Sequence, residues 1–245
     1  MITNYHKHFS QRLNRDMEYK TYGDSGRGVL VFPSQDGRFY DYENFDMVKT
    51  LAPFIESGQI HLICVDSIDG ETWSNTWGNG RQRIELHELW HQYIVDELIP
   101  EVRRDEKETF IVTGCSMGGF HAATFFFRRP ELFDTLLSLS GLYHADFFFG
   151  DHRDELTYSN SPLDFLEHMP ADHPYWNLYR QKKIILCVGQ GDWEEDLLAS
   201  TRRMDALLRA KNVPAWIDYW GTDVSHDWYW WRKQVYYFME HILAS

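Results

Sequence analysis

Five short runs are apolar on both faces: Gly28 to Phe32, Ile60 to Val65, Thr109 to Thr113, Thr135 to Leu139 and Lys183 to Val188. Side chains alternate across a strand, so a run that is apolar throughout must be covered on both sides; this suits a buried parallel strand better than a surface hairpin. Ala215 to Trp220 carries strand-forming residues and extends the series. Between the runs, Tyr42 to Ile55, Arg83 to Arg103, Gly118 to Phe127, Glu194 to Ala210 and Trp228 to Leu243 place apolar residues three and four apart, the helical spacing. Strand and helix alternate, which predicts an α/β fold with a mostly parallel, doubly wound sheet and helices on both faces. Weaker strand-like pieces near His6 to Leu13 and Met17 to Tyr22 fit an antiparallel edge. Prolines and scattered aromatics interrupt the rhythm between about 144 and 182, which reads as a cap-like excursion above the sheet. With no repeat or low-complexity linker, residues 1–245 are expected to form one domain.

Charge narrows the partners. The chain carries 24 Lys and Arg against 37 Asp and Glu, a net charge of −13, which repels phosphate backbones and anionic lipid and argues against nucleic-acid or membrane partners. No run is long enough to span a bilayer and the start resembles no signal peptide. Cys64, Cys115 and Cys187 stand singly in apolar segments, neither a disulfide framework nor a zinc pattern, so the expectation is a reduced, cytoplasmic protein.

Thr113-Gly114-Cys115-Ser116-Met117-Gly118-Gly119 follows one apolar run directly and opens a helical one. G-x-S-x-G in that context is a nucleophile elbow, because a serine on a sharp strand-to-helix turn needs small residues two before and two after it. The N–H of Met117, at the helix start, is then an oxyanion donor. Cys115 is a rival nucleophile by chemistry, but its place in the elbow turns its side chain into the core. A serine needs a base to take its proton and an acid to orient the base. The acid and then the histidine are expected on loops after later strands. Asp192, in Gly189-Gln190-Gly191-Asp192, and His226, in Gly221 to Trp228, satisfy that order, with Glu194, Glu195 and Asp196 competing with Asp192.

The elbow GCSMGG, the acid loop GQGD, the segment YIVDELIP from Tyr93 to Pro100 and the terminal HDWYWW resemble the esterase D-like esterases of the α/β-hydrolase superfamily. That group includes feruloyl and acetyl-xylan esterases and mycolyltransferases. The resemblance covers residues 28 to 243 and implies the α/β-hydrolase fold, a Ser116–His226–Asp192 triad and hydrolysis of a carboxylic ester. The sequence departs from the group after the first core strand, where a His-Gly pair is replaced by Phe32-Pro33-Ser34-Gln35-Asp36-Gly37. The second oxyanion donor then falls to the backbone of Gln35 or Ser34.

His87-Glu88-Leu89-Trp90-His91 is a literal H-E-x-x-H, a zinc-peptidase signature. It lies in the middle of an α/β alternation, on a helix that must bury an apolar face, and reads instead as a solvated or locally hydrogen-bonded helical face. No phosphate loop or dinucleotide fingerprint occurs, so neither cofactor nor metal is implied. The chain has 10 Trp, 14 Tyr and 16 Phe, enough to serve both core and cleft. Trp73, Trp77, Trp193 and Trp228, with Phe147, Phe148, Phe149, Tyr175 and Trp176, are candidates for the rim of a site taking small apolar, aromatic or sugar esters. A non-catalytic relative binding such ligands is the other class of reading. An acyltransferase or thioesterase would share the triad and differ in acceptor or leaving group.

Overall fold

The computed structural model describes residues 1–244. Among them, eight strands form one sheet in the order β1-β2-β4-β3-β5-β6-β7-β8. The strands are β1 (Thr3–Ser10), β2 (Arg15–Tyr22), β3 (Arg27–Phe32), β4 (Ile60–Val65), β5 (Phe110–Cys115), β6 (Phe133–Leu139), β7 (Lys183–Val188) and β8 (Trp216–Tyr219). The first two pair antiparallel, β2 joins β4 antiparallel, and every pairing from β4 to β8 is parallel.

The two-faced apolar runs explain this sheet. Leu30, Phe32, Val112, Leu136 and Leu186 enter one core, against Trp90 of the helix Gly80–Tyr93, Phe125 of the helix Met117–Arg128 and Met204 of the helix Glu195–Ala210. The intervening Val29, Val31, Ile111, Leu137 and Ile185 enter the other, against Leu51 of the helix Met47–Glu56 and Phe238 of the helix Trp228–Leu243. Strand geometry sends neighbours to opposite faces, so each core strand serves both layers. The helix Gly80–Tyr93 continues through a π-helical turn, Ile94–Leu98, into Ile99–Val102. Pro100 lies just beyond that turn and has no N–H to return to the preceding turn, a local reason for the wider winding.

The excursion between β6 and β7 is four short helices, Asp146–Phe149, Glu155–Ser159, Pro162–His168 and Tyr175–Tyr179. Most of it is not a cap. Leu163, Leu166, Trp176 and Tyr179 belong to the first core, and the Tyr179 hydroxyl donates to Phe127 O at 2.5 Å. Of the four helices, only Asp146–Phe149 contributes side chains, Phe147 and Phe148, to the site described below. No helix among the described residues is long and apolar enough to cross a membrane.

Parallel strands deliver their carboxyl ends to one edge, where open α/β sheets bind ligands. The loops after β3, β5, β6, β7 and β8 meet there.

Candidate active site

Ser116 stands between β5 and the helix Met117–Arg128 with φ 58° and ψ −121°, a backbone conformation L-residues rarely adopt. Two glycines make it possible. A Cβ at Gly114 would lie 2.3 Å from the Gly118 carbonyl carbon, and one at Gly118 would lie 2.4 Å from Phe32 O. The turn is also tied to the sheet, since Ser116 N–H donates to Leu139 O at 2.9 Å. Cys115 is buried in the second core; burial, with the Glu194 carboxylate adding to it, pushes its thiol well above the ordinary cysteine range.

His226 reaches the serine from the loop after β8, its Nε2 2.9 Å from Ser116 Oγ. Trp231 stands edge-on to the imidazole, ring centres 4.8 Å apart at 87°. On the far side of the ring, Nδ1 faces Oε2 of Glu194 at 3.4 Å. That separation exceeds a hydrogen bond, yet neither atom has another partner among the described residues and Glu194 is only 1% exposed.

The carboxylate facing His226 is therefore Glu194 and not the expected Asp192, which is exposed. Backbone packing decides this. The loop after β7 is stitched to the histidine loop by Gly191 N–H to Val224 O (2.9 Å) and His226 N–H to Asp192 O (3.0 Å). Contact is so close at Gly189 that a Cβ there would fall 2.2 Å from Val224 O. With its carbonyl turned to the histidine loop, Asp192 leaves its side chain in solvent. Trp193 then adopts φ 68°, and the reversal brings Glu194 inward.

Ser116 and His226 open into a cavity of about 360 Å³ lined also by Gln35, Met117, Phe120, Leu142, Phe147, Phe148, Trp193, Glu195, Asp196 and Leu197. Met117 begins its helix, so its N–H is one of the donors without a partner inside the helix. Ser34 Oγ donates to Cys115 O at 3.2 Å, holding the Ser34–Gln35 turn against the elbow, while the Gln35 amide is drawn aside to Ser74 Oγ at 3.0 Å.

A family model described as "Putative esterase" matches residues 10–239. The chain belongs to this esterase family. Solved structures with the same fold include a ferulic acid esterase (TM-score 0.77, 16% identity, covering 99% of this chain and 97% of that one). An S-formylglutathione hydrolase from Agrobacterium tumefaciens is similar at TM-score 0.76 and 13% identity, covering 99% and 94%. So is FphF, a fluorophosphonate-binding serine hydrolase of Staphylococcus aureus, at 0.74 and 13%, covering 99% and 98%. No curated protein sequence matches significantly.

Of the aromatic rim expected for this esterase, Trp193 lines the cavity and is 81% exposed. Trp73 does not line it: fully buried, it packs behind the wall against Phe120 and donates its indole N–H to His87 Nδ1 at 2.9 Å. Trp77 is 99% exposed and lies outside the lining. Trp228 is also outside it, stacked on Phe45 at 4.4 Å and edge-on to Trp231. Phe147 and Phe148 line the cavity, whereas Phe149, Tyr175 and Trp176 are packed into apolar clusters. Phe120, Leu142 and Leu197 line it without any sequence signal, because an apolar residue on a helix or turn reads as core.

The H-E-x-x-H helix is hydrogen-bonded, as one of the readings has it, but its histidines are not solvated. His87 and His91 are buried rather than solvated, His87 against Trp73 and His91 stacked on Phe125 with centres 4.5 Å apart. Glu88 is held by Arg128 through two bonds of 2.9 and 3.0 Å and accepts from Asn160. Burial drives both imidazoles well below the ordinary histidine range. No group of three or more His, Cys, Asp or Glu that could hold a metal occurs among the described residues.

Proposed function

We propose that this esterase hydrolyses small apolar or aromatic carboxylic esters through a Ser116–His226–Glu194 triad and an acyl-enzyme. The observation that carries the reading is the contact of His226 Nε2 with Ser116 Oγ at 2.9 Å, on a strained elbow, with Nδ1 turned to a buried carboxylate. Nε2 takes the hydroxyl proton as Oγ attacks the ester carbonyl carbon. The negative charge that moves to the carbonyl oxygen is met by Met117 N–H and by the backbone of the Ser34–Gln35 turn. When the tetrahedral species collapses, His226 returns the proton to the departing alkoxide. Water, deprotonated by the same nitrogen, then cleaves the acyl group from Ser116. Glu194 holds the tautomer with the proton on Nδ1 and stabilises the imidazolium.

The lining supports the substrate class. Phe120, Leu142, Phe147, Phe148 and Leu197 offer an apolar wall to an acyl or aryl group, and Trp193 a ring at the entrance. Glu195 and Asp196 in the same lining disfavour anionic esters. Three buried free thiols support a reducing, cytoplasmic setting.

Fluorophosphonate labelling with site mapping, followed by a panel of short acyl, aryl and sugar esters, tests the reading. Label on Ser116, loss of labelling and hydrolysis in Ser116→Ala, and preference for uncharged esters are expected. Hydrolysis that persists in Ser116→Ala overturns it.

A further inference from the structure

The turn after β6 holds a second strained serine. Ser140 is fully buried with φ 49°, in the left-handed region where glycine is the usual occupant. Its N–H donates to Cys187 O at 2.7 Å, fastening the turn to β7. Its side chain explains why a serine stands there. Ser140 Oγ donates to Glu194 Oε1 at 2.6 Å and accepts from Trp231 Nε1 at 3.1 Å. The hydroxyl has one proton, and the indole donation leaves that proton for the carboxylate.

A buried glutamate has three side-chain torsions, and a single contact of 3.4 Å with His226 does not hold them. The bond from Ser140 pins Oε1, which leaves Oε2 as the oxygen directed at Nδ1. Trp231 closes the arrangement, since the residue that donates to Ser140 also packs its ring perpendicular to the imidazole. Acid, base and their supports thus form one network across the loops after β6, β7 and β8 and the start of the helix Trp228–Leu243.

We infer that Ser140 is a positioning residue for the hydrolysis, acting through Glu194 by orienting its carboxylate toward His226. This rests on the triad reading above. A strained, buried non-glycine residue persists where its surroundings over-determine it, often at a functional site. Here the structure supplies the reason: glycine would fit the backbone but lose the hydroxyl.

Ser140→Gly is the test, because the backbone conformation suits glycine and the hydroxymethyl group is all that is removed. It is compared with Glu194→Gln and with the double variant, using kcat and KM on one neutral ester, the fluorophosphonate labelling rate and thermal unfolding. We expect Ser140→Gly to lower kcat roughly 10- to 100-fold with KM little changed, and the melting temperature to fall by a few degrees because Trp231 Nε1 and Glu194 Oε1 lose their partner. In the Glu194→Gln background the same change costs little further, because the group it positions has lost its charge. Wild-type kcat in Ser140→Gly beside an impaired Glu194→Gln overturns the positioning role and leaves the triad standing. Equal losses from Ser140→Gly in both backgrounds overturn it too, marking a general structural effect. Wild-type activity in Glu194→Gln overturns the triad assignment and the positioning role with it.

Discussion

Exchanging the two competing carboxylates for amides separates Glu194 from Asp192 most sharply. At 3.4 Å and an effective dielectric constant near 20, a carboxylate attracts an imidazolium by about 5 kcal/mol. If that attraction is realised only as charge develops on His226, its loss corresponds to between three and four powers of ten in rate. Glu194→Gln keeps the shape and removes the charge. It also presents an N–H that can favour the wrong imidazole tautomer, so kcat/KM should fall about 10³- to 10⁴-fold. Asp192→Asn changes an exposed side chain and leaves the backbone bond from His226 N–H to Asp192 O, so its loss should stay below about threefold. Steady-state hydrolysis of p-nitrophenyl acetate and the second-order rate of fluorophosphonate labelling read both, with circular dichroism confirming the fold. A greater loss from Asp192→Asn than from Glu194→Gln would refute the reasoning.

Three further perturbations test the fold around the site. Gly118→Ala forces a Cβ to 2.4 Å from Phe32 O, a backbone atom that cannot step aside, and should cost about 3 kcal/mol or more. The melting temperature should then fall by roughly 6 °C or more, while Gly70→Ala, whose Cβ meets Asp36 at 3.6 Å, should leave it unchanged. His87 and His91 are held neutral by burial, aided by the neighbouring His121 for the first and Arg128 for the second. The unfolded chain therefore binds more protons below about pH 6.5, and each histidine removes up to about 1.4 kcal/mol of stability per pH unit as the pH falls. Urea midpoints measured from pH 7 to 5 should decline less steeply in His91→Leu than in the wild type; parallel curves would count against the buried, neutral imidazole. Burial raises the thiols of Cys64, Cys115 and Cys187, so Ellman's reagent at pH 8 should find none in the native protein and all three after denaturation.

The core strands and their alternation with helices were readable because burial on both faces leaves a continuous apolar run. The bounds of β4 and β7 coincide with Ile60 to Val65 and Lys183 to Val188, and the last helix runs from Trp228 to Leu243 as its periodicity indicates. Shorter elements were less legible: Tyr42 to Ile55 divides into Asp41–Asn44 and Met47–Glu56, with Asp46 in the left-handed region between them. The tryptophans misled because ring chemistry suits a wall, a core or a solvent-facing loop equally. Trp73, Trp77 and Trp193, all read as rim, occupy those environments in the order core, solvent and rim.

What the amino-acid order alone determined is therefore local. Glycines spaced around Ser116 make a strained turn affordable, and post-strand loops carry an acidic segment and then a histidine to one edge of a parallel sheet. Which carboxylate meets His226 is a different kind of fact. It depends on Asp192 offering its carbonyl to the histidine loop, on Trp193 reversing the chain, and on Ser140, more than fifty residues earlier, donating to Glu194. The same holds for H-E-x-x-H, whose histidines are buried, and whose glutamate is paired, because Trp73, Phe125 and Arg128 arrive from other elements. Spacing along a chain records which backbone turns are possible. The direction a side chain takes after the turn is set by the surface packed against it, and that surface exists only in the folded molecule.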